Sequence, residues 1–179
     1  MGAQGSRLPN DESGIRSYRQ PARFIHLEHL RRLRGSEQVA AVCYRVRKRR
    51  IEFLLVETRG GRWTFPKGSA EPGLTHAQAA ALEAFEEAGV HGRMENAAFT
   101  EYVRRKRAAR IEIVVKVHLC EVIWLDVPQE EGRKPTWFAA DKARQKLQAK
   151  RANEHGDQLA RVLESALSRI SEVARAQLV

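Results

Sequence analysis

The chain has 179 residues, enough for one ordinary domain with modest extensions. Hydrophobic residues make up 42% and charged residues 30%, which excludes a disordered or fibrous chain. Lys and Arg number 32 against 22 acidic residues, and the resulting net charge of +10 points to an anionic partner: a phosphorylated small molecule, a nucleic acid or a membrane surface.

Cys43 and Cys120 lie in apolar runs without metal-ligand spacing, which excludes a disulfide scaffold or zinc ribbon and fits a reducing, cytoplasmic compartment. No apolar run approaches a membrane span, and residues 1–14 lack the hydrophobic core of a signal peptide. Met1-Gly2-Ala3-Gln4-Gly5-Ser6 matches the short myristoylation pattern, but a flexible start is the better reading of so degenerate a motif.

In chain order, residues 1–35 read as an arm, mostly flexible to about residue 20, with a short helix near Phe24–Leu33. Two strands are expected over Gln38–Val46 and Ile51–Glu57, joined by the basic turn Arg47-Lys48-Arg49-Arg50. Gly60-Gly61 breaks the chain, and Trp63-Thr64-Phe65 is a short extended piece stopped by Pro66. A helix follows from His76 to Ala88, because Thr75 and Gln78 have capping-box spacing and Gly89 stands where a left-handed residue closes a helix. Arg93–Val103 and Ile111–Ile123 read as a long hairpin, the second arm alternating cleanly from Ile111 to Leu119. Trp137-Phe138 is an anchor before a short helix over Ala140–Leu147. Leu159, Val162, Leu163, Ala166, Leu167, Ile170 and Val173 recur at helical spacing and define a long amphipathic closing helix. The expected organisation is therefore an arm at 1–35, a main domain at 36–149 and a packed helix at 150–179.

The middle helix carries the chemistry. At about 100° per residue, Ala81, Ala84, Phe85 and Ala88 share one face, which should pack on the sheet, and Glu83, Glu86 and Glu87 share the opposite face. Three carboxylates at that spacing repel one another by a few tenths of a kcal/mol per pair. They also sit in the last turn, where the helix dipole disfavours negative charge. A hard divalent cation reverses both penalties, because it takes several oxygen ligands at once. By itself the pattern fits a solvated acidic face equally well.

The surrounding residues break the tie. Gly68 to Val90 resembles the signature box of the Nudix hydrolases: glycine, five residues, glutamate, seven residues, then Arg-Glu-apolar-any-Glu-Glu-any-Gly-apolar. Gly68, Glu83, Glu86, Glu87, Gly89 and Val90 match it, and Trp63-Thr64-Phe65-Pro66-Lys67 resembles its lead-in. Leu74 stands in place of the first glutamate and Leu82 in place of the arginine that orients the metal-binding glutamates. Arg62, Lys67 and Lys116 are the candidates to substitute for that arginine. Glu131 to Phe138 is further similar to the Gly-Arg-Lys-x-x-Trp-Phe segment of the diphosphoinositol polyphosphate phosphohydrolase branch, which also acts on diadenosine polyphosphates.

The resemblance implies an α+β fold, an αβα sandwich around a mixed sheet. It implies Mg2+, with Mn2+ as the alternative, held by Glu83, Glu86 and Glu87 and the carbonyl of Gly68, with Glu86 or Glu87 as the base that activates water. Arg104, Arg105, Lys106, Arg107 and Arg110 place five cations in seven positions at the hairpin tip. With Arg59, Arg62, Lys67, Arg133 and Lys134 they are the candidate substrate-binding residues, since guanidinium forks suit phosphate oxygens. The expected substrate is a diphosphoinositol polyphosphate or a dinucleoside polyphosphate, and the expected state is a monomer or homodimer without a membrane role. The alternatives are an RNA 5′-end or nucleotide pyrophosphohydrolase and a non-catalytic phosphate-ligand binding module.

Overall fold

The computed structural model describes residues 37–106 and 111–176. The arm, its expected helix, Arg107, Arg110 and the side chain of Lys106 lie outside that description. The strands are β1 (Glu37–Arg47), β2 (Arg50–Glu57), β3 (Trp63–Thr64), β4 (Lys67–Ser69), β5 (Val90–Met94), β6 (Thr100–Lys106), β7 (Ile111–Leu125) and β8 (Thr136–Ala139). The helices are α1 (His76–Ala88), α2 (Ala140–Gln148) and α3 (Asn153–Ala176).

β1 is the centre of the sheet. It pairs antiparallel with β2 and β4, and parallel with β7 from Glu37–Val114 to Tyr44–Glu121. The other described pairings are antiparallel, so the sheet is mixed, in the order β3-β2-β1-β7-β5. Alternation along β1 divides the core, because successive side chains point to opposite faces. Ala40, Val42 and Tyr44 join Phe53, Leu55, Val117, Leu119 and Leu147, together with Leu159, Val162, Leu163, Ala166 and Ile170 of α3. Val39, Ala41 and Cys43 join Leu54 and Val56 under Ala79, Ala80, Ala84 and Ala88 of α1. The fold is thus α1, sheet, then α2 with α3. The alanine-rich face of α1 lets that helix lie close to the strands, whereas α3 contributes large aliphatics. Each of those, fully buried, is worth roughly 1.5–3 kcal/mol.

α1 spans the expected residues. Thr75 Oγ1 accepts from the Gln78 N–H at 3.2 Å, and Gln78 Oε1 accepts from the Thr75 N–H at 2.9 Å. Gly89 closes the helix at φ 64°, and a Cβ there would stand 2.0 Å from the Asp126 carbonyl oxygen. Both conformation and space demand glycine at this position.

Two expectations are corrected. The first arm of the long hairpin is two strands, β5 and β6, each paired with a different half of β7. Residues 96–98 loop out between them: Glu95 and Phe99 still donate to the Leu119 and Val117 carbonyls of β7, but more residues intervene than a continuous ladder allows. Phe85 is half-buried rather than a core residue, and packs edge-on against His91 with ring centroids 5.2 Å apart. On the flank of the alanine face, it reaches the rim that His91 and Trp124 form by stacking at 3.7 Å.

Candidate active site

The last turn and a half of α1 brings Glu83 and Glu87 to the edge of β4, with Glu86 beside them on the helix. Glu87 is 3% exposed and is the most buried carboxylate among the described residues. Its Oε2 accepts from the Lys67 N–H at 3.2 Å, and its Oε1 accepts from Arg133 Nη2 at 2.6 Å. Glu83 lies against Gly68: a Cβ at position 68 would stand 1.7 Å from Glu83 Oε1, so only glycine leaves room for the carboxylate. Burial, with the neighbouring Glu87, Glu86 and Glu130 carboxylates, pushes the pKa of Glu83 up to about 7. Glu87 is raised as well, because burial outweighs the opposing Lys67 and Arg133 cations.

Glu130 joins this cluster from the loop after β7, and pattern reading along α1 had no means of finding it. The loop is tied to the helix end. Asp126 N–H donates to the Gly89 carbonyl at 2.7 Å, and Glu130 N–H donates to the Glu86 carbonyl at 2.9 Å, satisfying a carbonyl left over at the helix terminus. Glu130 Oε2 accepts from Arg133 Nε at 2.7 Å. Arg133, expected on substrate, stands instead on the glutamates. Of the three expected stand-ins for the absent arginine, Lys67 is at Glu87. Arg62 lines a separate cleft, and Lys116 pairs with Glu101 on the β6–β7 ladder. Leu82 and Leu74 are 37% and 40% exposed.

The donor set fits a hard divalent cation: crowded carboxylate oxygens, a glycine kept clear for one of them, and a Glu83 pKa raised by burial and then by the neighbouring carboxylates. Among the described residues no three Asp, Glu, His or Cys side chains form a ready-made cage. Magnesium is ordinarily held by one or two carboxylates together with water and substrate phosphates, so such a cage is not required.

Beside the glutamates a cleft of about 400 Å³ opens between β6 and the start of α3. Arg62, Lys67, Arg104, Arg105, Arg151 and His155 line it, with Glu154 as its one carboxylate. Burial pulls the Lys67 ammonium below the usual lysine range, against the attraction of Glu87. Arg104 Nη1 donates to Gln38 Oε1 at 3.4 Å. Arg105 is exposed and already engaged, at 2.9 Å with Glu112 and 3.3 Å with Glu154. Arg151 is built in more firmly: its Nε donates to the Leu147 carbonyl at 2.8 Å and its Nη2 to the Trp63 carbonyl. Arg151 and His155 were not singled out as binding residues, because they lie far along the chain with no local pattern. Arg59 and Lys134 are exposed and stand outside the lining. Two other concavities, an apolar one beside Phe85 and His91 and a basic one at the β1–β2 turn, hold none of the glutamates.

The NUDIX domain family matches residues 36–162. The human diphosphoinositol polyphosphate phosphohydrolase 3-beta is 33% identical over 116 residues, covering 63% of this chain and 69% of that protein. Among solved structures, a NUDIX hydrolase from Nitrosomonas europaea superposes with a TM-score of 0.60 at 22% identity, over 75% of this chain and 89% of its own. A C. elegans Ap4A hydrolase superposes at 0.58 and 20% identity, over 76% and 98%. The chain belongs to the Nudix hydrolase family. That family acts on pyrophosphate-containing small molecules and typically uses a divalent metal. Among the described residues no helix is long and apolar enough to cross a membrane.

Proposed function

We propose that this chain hydrolyses a diphosphate linkage in a polyanionic substrate, a diphosphoinositol polyphosphate or a dinucleoside polyphosphate, with Mg2+ as its resident ion. The observation that carries the reading is Lys67. Its backbone N–H holds Glu87, and the same residue lines the five-cation cleft, so the acidic cluster and the basic surface share an edge. The relatives named above, one acting on diphosphoinositol polyphosphates and one on a dinucleoside polyphosphate, support the same substrate class.

Glu83, Glu86 and Glu87 would hold the ion, with the Gly68 carbonyl as a further ligand. When bound, the ion neutralises phosphate oxygens and acidifies water. The chain's own residues do the rest. Arg62, Lys67, Arg104 and Arg151 bind non-bridging phosphate oxygens and align the linkage against the α1 terminus. Glu86 or Glu87 accepts the proton of the attacking water. Little covalent chemistry falls to the protein, so positioning and charge carry catalysis. Residues of the 150–179 segment line the cleft, so that segment acts as part of the catalytic unit.

The test is phosphate release across inositol pyrophosphates, diadenosine polyphosphates, nucleoside di- and triphosphates and 5′-triphosphate RNA, with and without Mg2+. Metal-dependent release from the first two groups is the expected result. Preference for RNA selects the 5′-end reading. Metal-independent binding without release from any substrate selects the non-catalytic one.

A further inference from the structure

The buried Glu87 carboxylate draws no cation from its own helix. The last turn of α1 holds no basic residue, and Leu82, one turn before Glu86, is apolar. Its ion-pair partner comes from 46 residues further on, where the loop after β7 lays the Arg133 guanidinium across two carboxylates at once. Nη2 donates to Glu87 at 2.6 Å and Nε to Glu130 at 2.7 Å, with the Arg133 side chain itself only 22% exposed. A planar guanidinium with several donors can bridge two acceptors in a fixed orientation, which the point charge of a lysine ammonium cannot do. The loop is itself pinned to the helix end through Asp126 and Glu130. With Lys67 N–H on Oε2 and Arg133 on Oε1, both oxygens of Glu87 are held. The terminal torsion of a glutamate is otherwise broad.

We infer that Arg133 is the positioning residue of the acidic site, fixing the Glu87 carboxylate from the loop because helix position 82 supplies no cation, and that Glu130 in turn fixes Arg133. This rests on the metal-binding role proposed above for the glutamates. It also gives Arg133 a different part from the phosphate ligands of the cleft, since two of its nitrogens are committed to carboxylates. Each carboxylate oxygen has two lone pairs, so this grip orients Glu87 without exhausting it.

The experiment titrates the full chain with Mn2+ alone and follows loss of the free-ion paramagnetic resonance signal, with thermal unfolding as a control for folding. Arg133→Ala is expected to weaken Mn2+ binding by about 10-fold or more, the usual loss when a partner that orients a metal ligand is removed. Glu130→Gln, at a more exposed position, is expected to weaken it less. The double variant should be no weaker than Arg133→Ala, because Glu130 acts through Arg133. On a substrate found by the release assay, Arg133→Ala should lower kcat with little change in KM.

Unchanged or tighter Mn2+ binding in a folded Arg133→Ala protein overturns the inference, the tighter case making Arg133 a competitor for the carboxylate. A rise in KM alone overturns it too and returns Arg133 to phosphate binding. If Glu87→Gln binds Mn2+ as the parent does, the metal-site reading itself fails. If Glu87→Gln loses the ion and Arg133→Ala keeps it, only the present inference fails.

Discussion

At the C-terminal end of α1 three carboxylates come from five consecutive residues, Glu83 to Glu87, whereas the five cations of the neighbouring cleft come from four separate segments. The acidic cluster is partly buried, and burial together with the neighbouring carboxylates raises the pKa of Glu83. The cations are spread from exposed Arg105 to Arg151, which is held by two backbone carbonyls. A contiguous helical turn concentrates one kind of charge cheaply, since its spacing is set by local geometry. A cleft can concentrate the other kind only by bringing distant segments together. The acidic side should therefore respond to changes in orientation, and the basic side to which cations the fold has immobilised.

The largest effect expected from that contrast is at Glu87. Glu87→Gln should lower turnover by roughly 100- to 10,000-fold, the span associated with loss of a positioned acid–base group. It should also abolish the rise in melting temperature that Mg2+ gives the parent. Steady-state rates and thermal unfolding with and without the ion check both, and parent-like turnover would remove α1 from the chemistry. On the basic side, Arg151→Ala should raise KM for the most highly charged substrates by about 10- to 100-fold, the equivalent of one charge-assisted hydrogen bond. A comparable loss for a nucleoside diphosphate would show a general packing defect instead.

Gly68→Ala sharpens the orientation argument without altering any charge. The new Cβ would occupy the place of the Glu83 carboxylate, so Mg2+ affinity should fall about 10-fold while the cleft is untouched. Calorimetric titration with Mg2+ measures it.

The acidic cluster also sets a pH dependence. Glu83 titrates at about 7 in the folded chain against 4.5 for the ordinary group, so the folded state holds the extra proton between those values. Its contribution to stability is complete below about 4.5 and is lost as pH rises through about 7. The metal-free protein should thus lose melting temperature across that interval. Mg2+ should restore more of it at pH 8 than at pH 6, because the ion must displace the proton. A metal effect independent of pH would place the ion elsewhere. The smallest change is expected at Arg105. Its guanidinium is exposed and already paired with Glu112 and Glu154, so Arg105→Ala should alter KM by no more than about 3-fold.

The helix His76–Ala88, its capping box and the glycine that ends it were legible because each depends on residues within a few positions of one another. The grouping of Glu83, Glu86 and Glu87 was legible for the same reason, 3.6 residues per turn translating spacing into a shared side, but Glu87 lies at the border of the buried alanine face rather than opposite it. The amphipathic repeat from Leu159 to Ile170 marked a buried helix face in the same way. Phe85 was misjudged because the face that packs is built on Ala77, Ala80, Ala84 and Ala88 and is rotated toward Glu87, which leaves Ala81 and Phe85 on its flank. The hairpin was misjudged because alternation over Arg93–Val103 does not reveal that residues 96–98 loop out of the pairing.

Local sequence determined the elements and the acidic stripe. Tertiary structure decided that Arg133 serves Glu87, that Glu130 completes the carboxylate cluster and that Arg151 and His155 line the cleft. Those residues meet only through the β1–β7 pairing, the loop tied to Gly89 and the packing of α3 on the sheet. The spacing of a helix is written into neighbouring residues, whereas such meetings follow from which faces bury against one another.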